Sequence, residues 1–344
     1  MKYMLRVFTL LGLWFYLTLL LAWWGTKALF GDSIWWLGLL NSFVPFFFAP
    51  LLILIPIAPM IRHPIYNVGL LIPTALLLVN YGTLFLLKPA LPHRLMPAPL
   101  TIMTFNIRSG SDSQQTIDVI RENGLPDIVA LQETNRLRSR LIREEFDTTY
   151  PHQLYEHTLS GKGISLLSRF VLEPVRSEML IDLSCRIYRV TIDPNHSFRL
   201  YNCHPHSSNL GNFLGDGFPL ARQINETFWL RYQLNLALVK EIADYNEPTI
   251  VVGDFNSTDQ SEAYKILQDV LFDAHRQIGW GWGHTFPTRG NTFQDVPILP
   301  RLVRIDMVWY TAAFVALQSQ VSMSHGESDH HPLVVTLGWR DSQP

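Results

Sequence analysis

Acid is almost absent from the first hundred residues: Asp32 stands alone there, against Lys2, Arg6, Lys27, Arg62, Lys88 and Arg94. The scarcity of charge leaves three runs, 7–26, 33–61 and 64–87, without a single Asp, Glu, Lys or Arg. Each is long enough to cross a bilayer as a helix. Cysteine is scarce as well. With Cys185 and Cys203 the only two, one internal disulfide at most can form, and a disulfide-dense scaffold is excluded. Basic residues thin out later: beyond residue 100 the chain keeps 21 of its 27 Lys and Arg but 28 of its 29 acids, a formal net charge of −7. That balance, with no Lys/Arg cluster interleaved with stacking aromatics, disfavours nonspecific nucleic-acid binding. Only a bound metal or a local basic patch would reverse the field at a site.

The three runs predict a multi-pass transmembrane region at 1–87, with spans near 7–26, 34–58 and 65–87. Pro45, Pro50, Pro56 and Pro59 predict that the second is kinked or ends before Pro56, because a proline inside a helix removes a hydrogen bond. A cleaved signal peptide is the alternative for the first run, with Lys2 and Arg6 as its basic start. Against it, the apolar stretch is long, Ala22-Trp23-Trp24 is a poor cleavage site, and two further runs follow. Trp23, Trp24, Trp35 and Trp36 suit an interfacial aromatic belt. Positive charges divide evenly between the two sides, and Asp32 partly offsets Lys27, which places the N-terminus inside and everything after residue 87 outside the cytoplasm. Residues 88–99 hold four prolines and read as a stiff linker, leaving 100–340 as a separate domain.

In that domain, apolar runs predict strands at 100–107, 127–133, 163–168, 248–254, 304–310 and 332–338, and a hairpin over 185–203 turning at Asp193-Pro194-Asn195-His196. Helices are expected at 113–124, 136–146, 219–244 and 260–268; the long one repeats Leu220, Ile224, Phe228, Leu234, Leu238 and Ile242 at near-helical spacing. Strands interspersed with a few helices imply packed sheets with helices outside, an α/β sandwich. The hairpin brings Cys185 opposite Cys203; a disulfide and two buried free thiols both fit.

Polar residues gather where these apolar runs end. Asn106 and Arg108 close the first strand, Glu133 the second, His204 and His206 follow the hairpin, Asp254 and Asn256 close the fifth run, and Asp329, His330 and His331 precede the last. Asp306 sits inside an otherwise apolar strand, where a buried acid without a partner is costly. A rigid scaffold assembles a site in this way from distant sequence. Alone, Glu133 or Asp254 could equally be a strand-end cap; His152, His157, His196, His206 and His284 are read as packing or surface residues.

The runs TFNIR (104–108), ALQET (130–134), NCHP (202–205), VVGDFNS (251–257), RIDMVWY (304–310) and SDHHP (328–332) resemble, in order and rough spacing, those of the endonuclease/exonuclease/phosphatase superfamily. The resemblance covers the whole domain and implies a four-layer α/β sandwich of the deoxyribonuclease I type that hydrolyses phosphoesters with a divalent metal, usually Mg2+, with Mn2+ as the alternative. It implies Glu133, Asn106 and Asp329 at the metal, Asp254 activating water, and Asn256 holding that aspartate and the phosphate. It implies His330, partnered by Asp306, on the phosphate with Arg108, and His204 beside the phosphate or leaving group. Strand alternation turns His331 away. Asn135 departs from the nuclease branches that carry a basic residue there. A tethered enzyme meets substrates at the headgroup layer, so the expected substrate is a lipid-linked phosphate, pyrophosphate or phosphodiester and the expected partner a bilayer. DNA cleavage by a tethered nuclease is the second reading, and a non-catalytic membrane scaffold the third. The segment 209–218 and the loop 278–288, with Trp280 and Trp282, are an apolar rim or loops packed on their own domain.

Overall fold

The computed structural model describes residues 2–86, 88, 99–109, 111–157, 163–208, 220–288, 292–293, 296–297 and 301–340. The expected 209–218 rim and nearly all of the 88–99 linker lie outside them. The chain divides into two compact units, Met1–Leu86 and Leu87–Pro344.

The first unit contains α1 (Lys2–Phe30), α2 (Trp35–Asn41), α3 (Val44–Phe47), α4 (Leu51–Ile61) and α5 (Pro64–Tyr81), the last continued by a 3-10 turn at Gly82–Phe85. Arg6–Phe30, Val44–Ile61 and Pro64–Phe85 are long and apolar enough to cross a membrane, by length and composition. The second run is interrupted before Pro56, though Pro56 itself is not the break. The helix runs through Pro56 and Pro59 to Ile61, and the breaks fall earlier, around Ser42–Phe43 and Phe48–Pro50. Pro45 and Pro50 lie at helix starts, where a missing N–H costs nothing. The buried Asn41 amide fixes the first break: it accepts from Trp23 Nε1 at 3.0 Å and donates to Asp32 Oδ1 at 2.8 Å. The one acid of this region is thereby hydrogen-bonded.

The second unit is built on two six-stranded mixed sheets. The strands, in chain order, are β1 (Leu100–Asn106), β2 (Ile128–Thr134), β3 (His152–Glu156), β4 (Gly163–Ser168), β5 (Val171–Val175), β6 (Cys185–Asp193), β7 (His196–Cys203), β8 (Thr249–Asp254), β9 (Phe272–Asp273), β10 (Thr292–Phe293), β11 (Val296–Pro297), β12 (Asp306–Tyr310), β13 (Phe314–Val321) and β14 (Leu333–Trp339). One sheet runs β13-β14-β1-β2-β4-β3 and the other β5-β6-β7-β8-β12-β9, while β10 and β11 pair apart. The helices are α6 (Ser113–Glu122), α7 (Arg136–Glu145), α8 (Glu178–Asp182), α9 (Leu220–Tyr245), α10 (Glu262–Gln268) and α11 (Ala274–Ile278).

Period-2 alternation makes the layers. Ile102, Ile128, Ala130, Leu200, Ile250, Val252, Val308 and Leu333 fill the space between the sheets. Their neighbours Met103, Phe105, Val129 and Leu131 pack outward on Ile117, Ile120 and Ile142 of α6 and α7. On the far side Tyr201, Val251, Met307 and Trp309 meet Leu234 and Leu238 of α9 and Tyr264 of α10. The result is the four-layer α/β sandwich expected from the sequence. The hairpin forms as expected, with Cys185 paired to Cys203 and the two joined by a disulfide.

The glycine-rich loop after α11 has a structural role at its start. His275 is buried; its Nδ1 lies 3.3 Å from Ser319 Oγ and its Nε2 3.1 Å from Gly281 O. A Cβ on Gly279 or Gly283 would come within 2.2 or 2.3 Å of the ring. Burial, with the Arg304 guanidinium nearby, pushes this imidazole down to about 4. The unfolded chain therefore takes up a proton below its ordinary value near 6.5 while the fold refuses it, so stability is intact above that pH and is lost as pH falls toward 4. A loss of about 3 kcal/mol is expected across that window. Urea titrations at stepped pH check it, and His275→Gln should flatten this part of the profile.

Candidate active site

The inward-facing rows of the sandwich change chemistry as they approach one rim. Along β1 the row is Ile102, Thr104, Asn106; along β2 Ile128, Ala130, Gln132; along β8 Ile250, Val252, Asp254; and along β12, read toward the same rim, Tyr310, Val308, Asp306. The apolar core thus passes into a buried amide layer. There Gln132 Nε2 donates to Asn202 Oδ1 at 2.7 Å and to Thr104 Oγ1 at 3.1 Å, and Asn202 Nδ2 donates to Ser165 O at 3.1 Å. Above that layer lie the carboxylates.

Glu133 reaches this rim through an irregularity. Alternation would point it outward, but the β2–β4 register shifts between Gln132 and Thr134, and Glu133 adopts φ +58°. Such a bulge re-aims one side chain. Arg108 and Asn256 also have positive φ, +53° and +50°. Strained backbone of this kind concentrates at functional sites.

Asn106 ties the pieces together. Its buried Nδ2 lies 3.2 Å from Glu133 Oε1 and 3.0 Å from Asp254 Oδ2, its Oδ1 accepts from Arg108 N at 3.0 Å, and its carbonyl accepts from Ser328 Oγ at 2.6 Å. The other Glu133 oxygen accepts from Ser109 N at 3.2 Å. Asn256 N donates to Asp254 Oδ1 at 2.9 Å and its amide to Pro205 O at 3.1 Å, so the turn after β8 holds Asp254 in place. His204 Nε2 stands 3.7 Å from Glu133 and 3.6 Å from Asp254, and His330 Nε2 stands 3.6 Å from Asp254. These gaps exceed a hydrogen bond and leave polar atoms converging on common space.

Asp254 and Asp306 are directly opposed in the β8–β12 ladder, both fully buried. Two facing carboxylates are unfavourable unless a cation intervenes. His330 supplies one: its Nδ1 is 2.9 Å from Asp306 Oδ2. Burial alone would lower this imidazole, but Asp306 and Asp254 outweigh it and hold it up to about 10. Burial and Asp254 push the Asp306 carboxyl up, against the pull of His330. With two carboxylates flanking one ring, the shared proton rests on the imidazole. The ring of Phe286 lies 4.8 Å from that of His330.

The remaining predicted residues fall outside this network. Arg108 contributes backbone, while its guanidinium is exposed and joins none of the site's hydrogen bonds. Asp329 is half-buried, its carbonyl accepting from Thr288 N at 2.8 Å, and its charge helps raise His330. His331 turns away, as alternation requires, with Nδ1 2.7 Å from Ser322 O. Sequence reasoning missed Ser328, which also accepts from His330 N at 3.0 Å, and the buried Thr285, whose hydroxyl accepts from Ile305 N and Asp306 N. It also passed over the arginines of α7, Arg136, Arg138, Arg140 and Arg143 within eight residues, a basic stretch with no aromatic residue among them.

The donor set suits a hard divalent cation. Glu133, Asp254 and Asp306 bring three carboxylates to one rim, the two aspartates buried. Among the described residues the tightest potential ligand group is Asp254, Asp306 and His330, with ligand atoms within 4.8 Å. A protonated His330 cannot ligate, which leaves Glu133 as the accessible carboxylate; Asn106 faces it with Nδ2, and an amide flip would be needed to offer its oxygen.

No curated protein matches the chain. Among solved structures it is similar to the 3′ phosphatase NExo from Neisseria, bound to a product DNA hairpin, at 18% identity and a TM-score of 0.53 over 70% of this chain and 100% of that one. It is also similar to an endonuclease/exonuclease/phosphatase family protein from Bacteroides thetaiotaomicron, at 16% identity and a TM-score of 0.50 over 71% and 99%. A humanized TDP2 from D. rerio aligns at 14% identity and a TM-score of 0.50 over 70% and 99%. At these identities the likeness establishes the fold. Residues 103–330, most of the sandwich and every side chain at its polar rim, match the family model directly, and the chain belongs to the Endonuclease/Exonuclease/phosphatase family, whose members are phosphoester hydrolases.

Proposed function

We propose that the chain is a membrane-anchored, Mg2+-dependent phosphoester hydrolase acting on a lipid-linked phosphate, pyrophosphate or phosphodiester. The observation that carries the catalytic part is the convergence of Glu133, Asp254, His204 and His330 on one space, with gaps of 3.6–3.7 Å between their polar atoms. A phosphoryl oxygen or a water fits between such groups, and apo sites commonly tighten on binding. Glu133 and Asn106, with Asp329 by family resemblance, would hold the metal, which would supply charge neutralisation at the phosphoryl oxygens. Asp254, fixed by Asn256, accepts the proton of the attacking water. His330, held by Asp306, donates to a phosphate oxygen, and His204 donates to the phosphate or leaving group.

Three apolar helices support anchoring by length and composition. The Cys185–Cys203 disulfide supports an oxidising compartment, and hence an extracytoplasmic catalytic unit. A tethered DNA-processing enzyme is the second reading, favoured by the Arg cluster of α7 and by the DNA-bound Neisseria relative.

The test is hydrolysis by the full chain in detergent of a lipid pyrophosphate, a phosphodiester lipid, and single- and double-stranded DNA, with and without Mg2+. Lipid turnover is expected, and Glu133→Gln should raise the half-saturating Mg2+ concentration at least about tenfold. Turnover of DNA alone would replace the lipid reading with the nuclease one. An unchanged Mg2+ requirement in Glu133→Gln would remove that residue from the metal site.

A further inference from the structure

Four positive charges stand on one short helix of an acidic domain. Helix α7, Arg136–Glu145, carries four arginines. Between them Leu137 and Leu141, one turn apart, are 79% and 52% exposed, whereas Ser139 and Ile142 on the inner face are buried. Nothing in the core needs the two leucines. The acids of the helix, Glu144 and Glu145, lie in its last turn, where Glu144 accepts from the exposed Arg140 Nε at 2.8 Å; Asp112 and Glu327 lie near Arg138, and within the helix itself the net positive end is the first turn.

That first turn belongs to the site mouth. Asn135 caps it, accepting from Arg138 N at 3.0 Å and donating to Ser109 O at 3.1 Å, while Ser109 N binds Glu133. Arg138 Nη1 donates to Arg108 O at 3.3 Å. Whatever α7 touches is therefore held next to Glu133.

Exposed leucines set among arginines on one helix suit the boundary between headgroups and acyl chains, where each side chain finds its own medium. A nucleic acid would use the arginines but leave the leucines in water. It would also want a free aromatic face, and the Tyr155 ring beside the cluster is covered by the Arg143 guanidinium at 4.6 Å. A chain with three helices apolar enough to span a membrane keeps a bilayer at high local concentration.

We propose that the exposed face of α7, Leu137 and Leu141 among Arg136, Arg138 and Arg140, docks on the anionic headgroup layer of the bilayer that anchors the chain. Docking presents the site mouth to phosphoesters in that layer. The inference rests on the membrane-anchored reading above and adds the surface that orients the enzyme. It also gives the arginines a role that the net charge of the domain conceals.

The experiment places an environment-sensitive fluorophore at Leu137→Cys in the full chain in nanodiscs of phosphatidylcholine, with or without phosphatidylglycerol. Cys185 and Cys203 are bonded to each other, so the label goes to position 137. Emission should shift to the blue in the anionic discs and return in about 1 M salt, where screening shortens to about 3 Å. A label at Glu173→Cys, exposed on β5, should not respond. Arg136→Glu with Arg140→Glu should abolish the lipid-dependent part of the shift and raise KM for a bilayer-borne phosphodiester. The same variant should leave hydrolysis of a soluble aryl phosphodiester unchanged.

A probe that reads water in both discs while lipid is hydrolysed would overturn the docking and leave the proposed function standing. A shift without lipid turnover would keep the docking and remove the lipid substrate. DNA binding that the double Arg variant abolishes, with no lipid response at position 137, would overturn the docking in favour of a nucleic-acid surface.

Discussion

Replacing Asp254 by asparagine is expected to lower turnover by about a thousandfold or more, on the scale of general-base catalysis, without loss of thermal stability. The two halves of that expectation come from the same geometry. Asp254 is buried directly across the ladder from Asp306, and its Oδ2 also accepts from Asn106 at 3.0 Å. An asparagine keeps the size and one acceptor oxygen, and removes one of two like charges that His330 alone separates. Stability is therefore unchanged or raised, the usual relation where a site holds charges for chemistry rather than for the fold. Activity falls because a neutral amide cannot take the proton of the attacking water. Parallel melting curves and single-turnover rates read the two effects separately. A variant that hydrolyses at the wild-type rate would remove Asp254 from the reaction, and one that melts far below wild type would mean that the charge is structural.

Much of this site was legible in the sequence because strands encode direction. Asn106 and Asp254 stood out as polar residues at the ends of apolar runs and Asp306 as an acid inside one, and the alternation of buried strands turns all three toward the space between the sheets. Glu133 was reached by resemblance rather than alternation, since the β2 bulge and its positive φ reverse the side that alternation assigns. Ser328 and Thr285 were not legible: each acts through one hydroxyl on backbone groups brought from far along the chain, Ser328 on Asn106 O and Thr285 on Asp306 N. The edge strands β3, β5 and β13 were missed because half-exposed strands mix polar and apolar residues with little periodic contrast. The arginines of α7 were hidden by the average: a domain-wide charge of −7 says nothing about where the positive residues stand. In the first unit Pro50 stands at one of the two breaks and Asn41, bonded to Asp32, at the other, while the helix runs through Pro56.

The second large effect is expected one residue before Asp254. Gly253→Ala should destabilise the domain by on the order of 4 kcal/mol, combining overpacking with a backbone conformation that alanine rarely adopts. Gly253 has φ +142°, and a Cβ there would lie 1.9 Å from the carbonyl oxygen of Cys203 and 2.8 Å from its carbonyl carbon. The obstacle is main chain, so no rotamer change relieves it. Nor can β7 retreat: Cys203 pairs with Gly253 on one side and is joined to Cys185 of β6 on the other. The strain would have to move β8, and with it Asp254, away from His204. The loss is a large share of the 5–15 kcal/mol that holds a typical domain together. Denaturant midpoints and turnover should both fall in Gly253→Ala, in contrast to Asp254→Asn, where only turnover falls. An alanine variant with a wild-type midpoint would show that β7 and β8 can separate by an ångström or more without cost, and that the disulfide does not hold this end of the sheet.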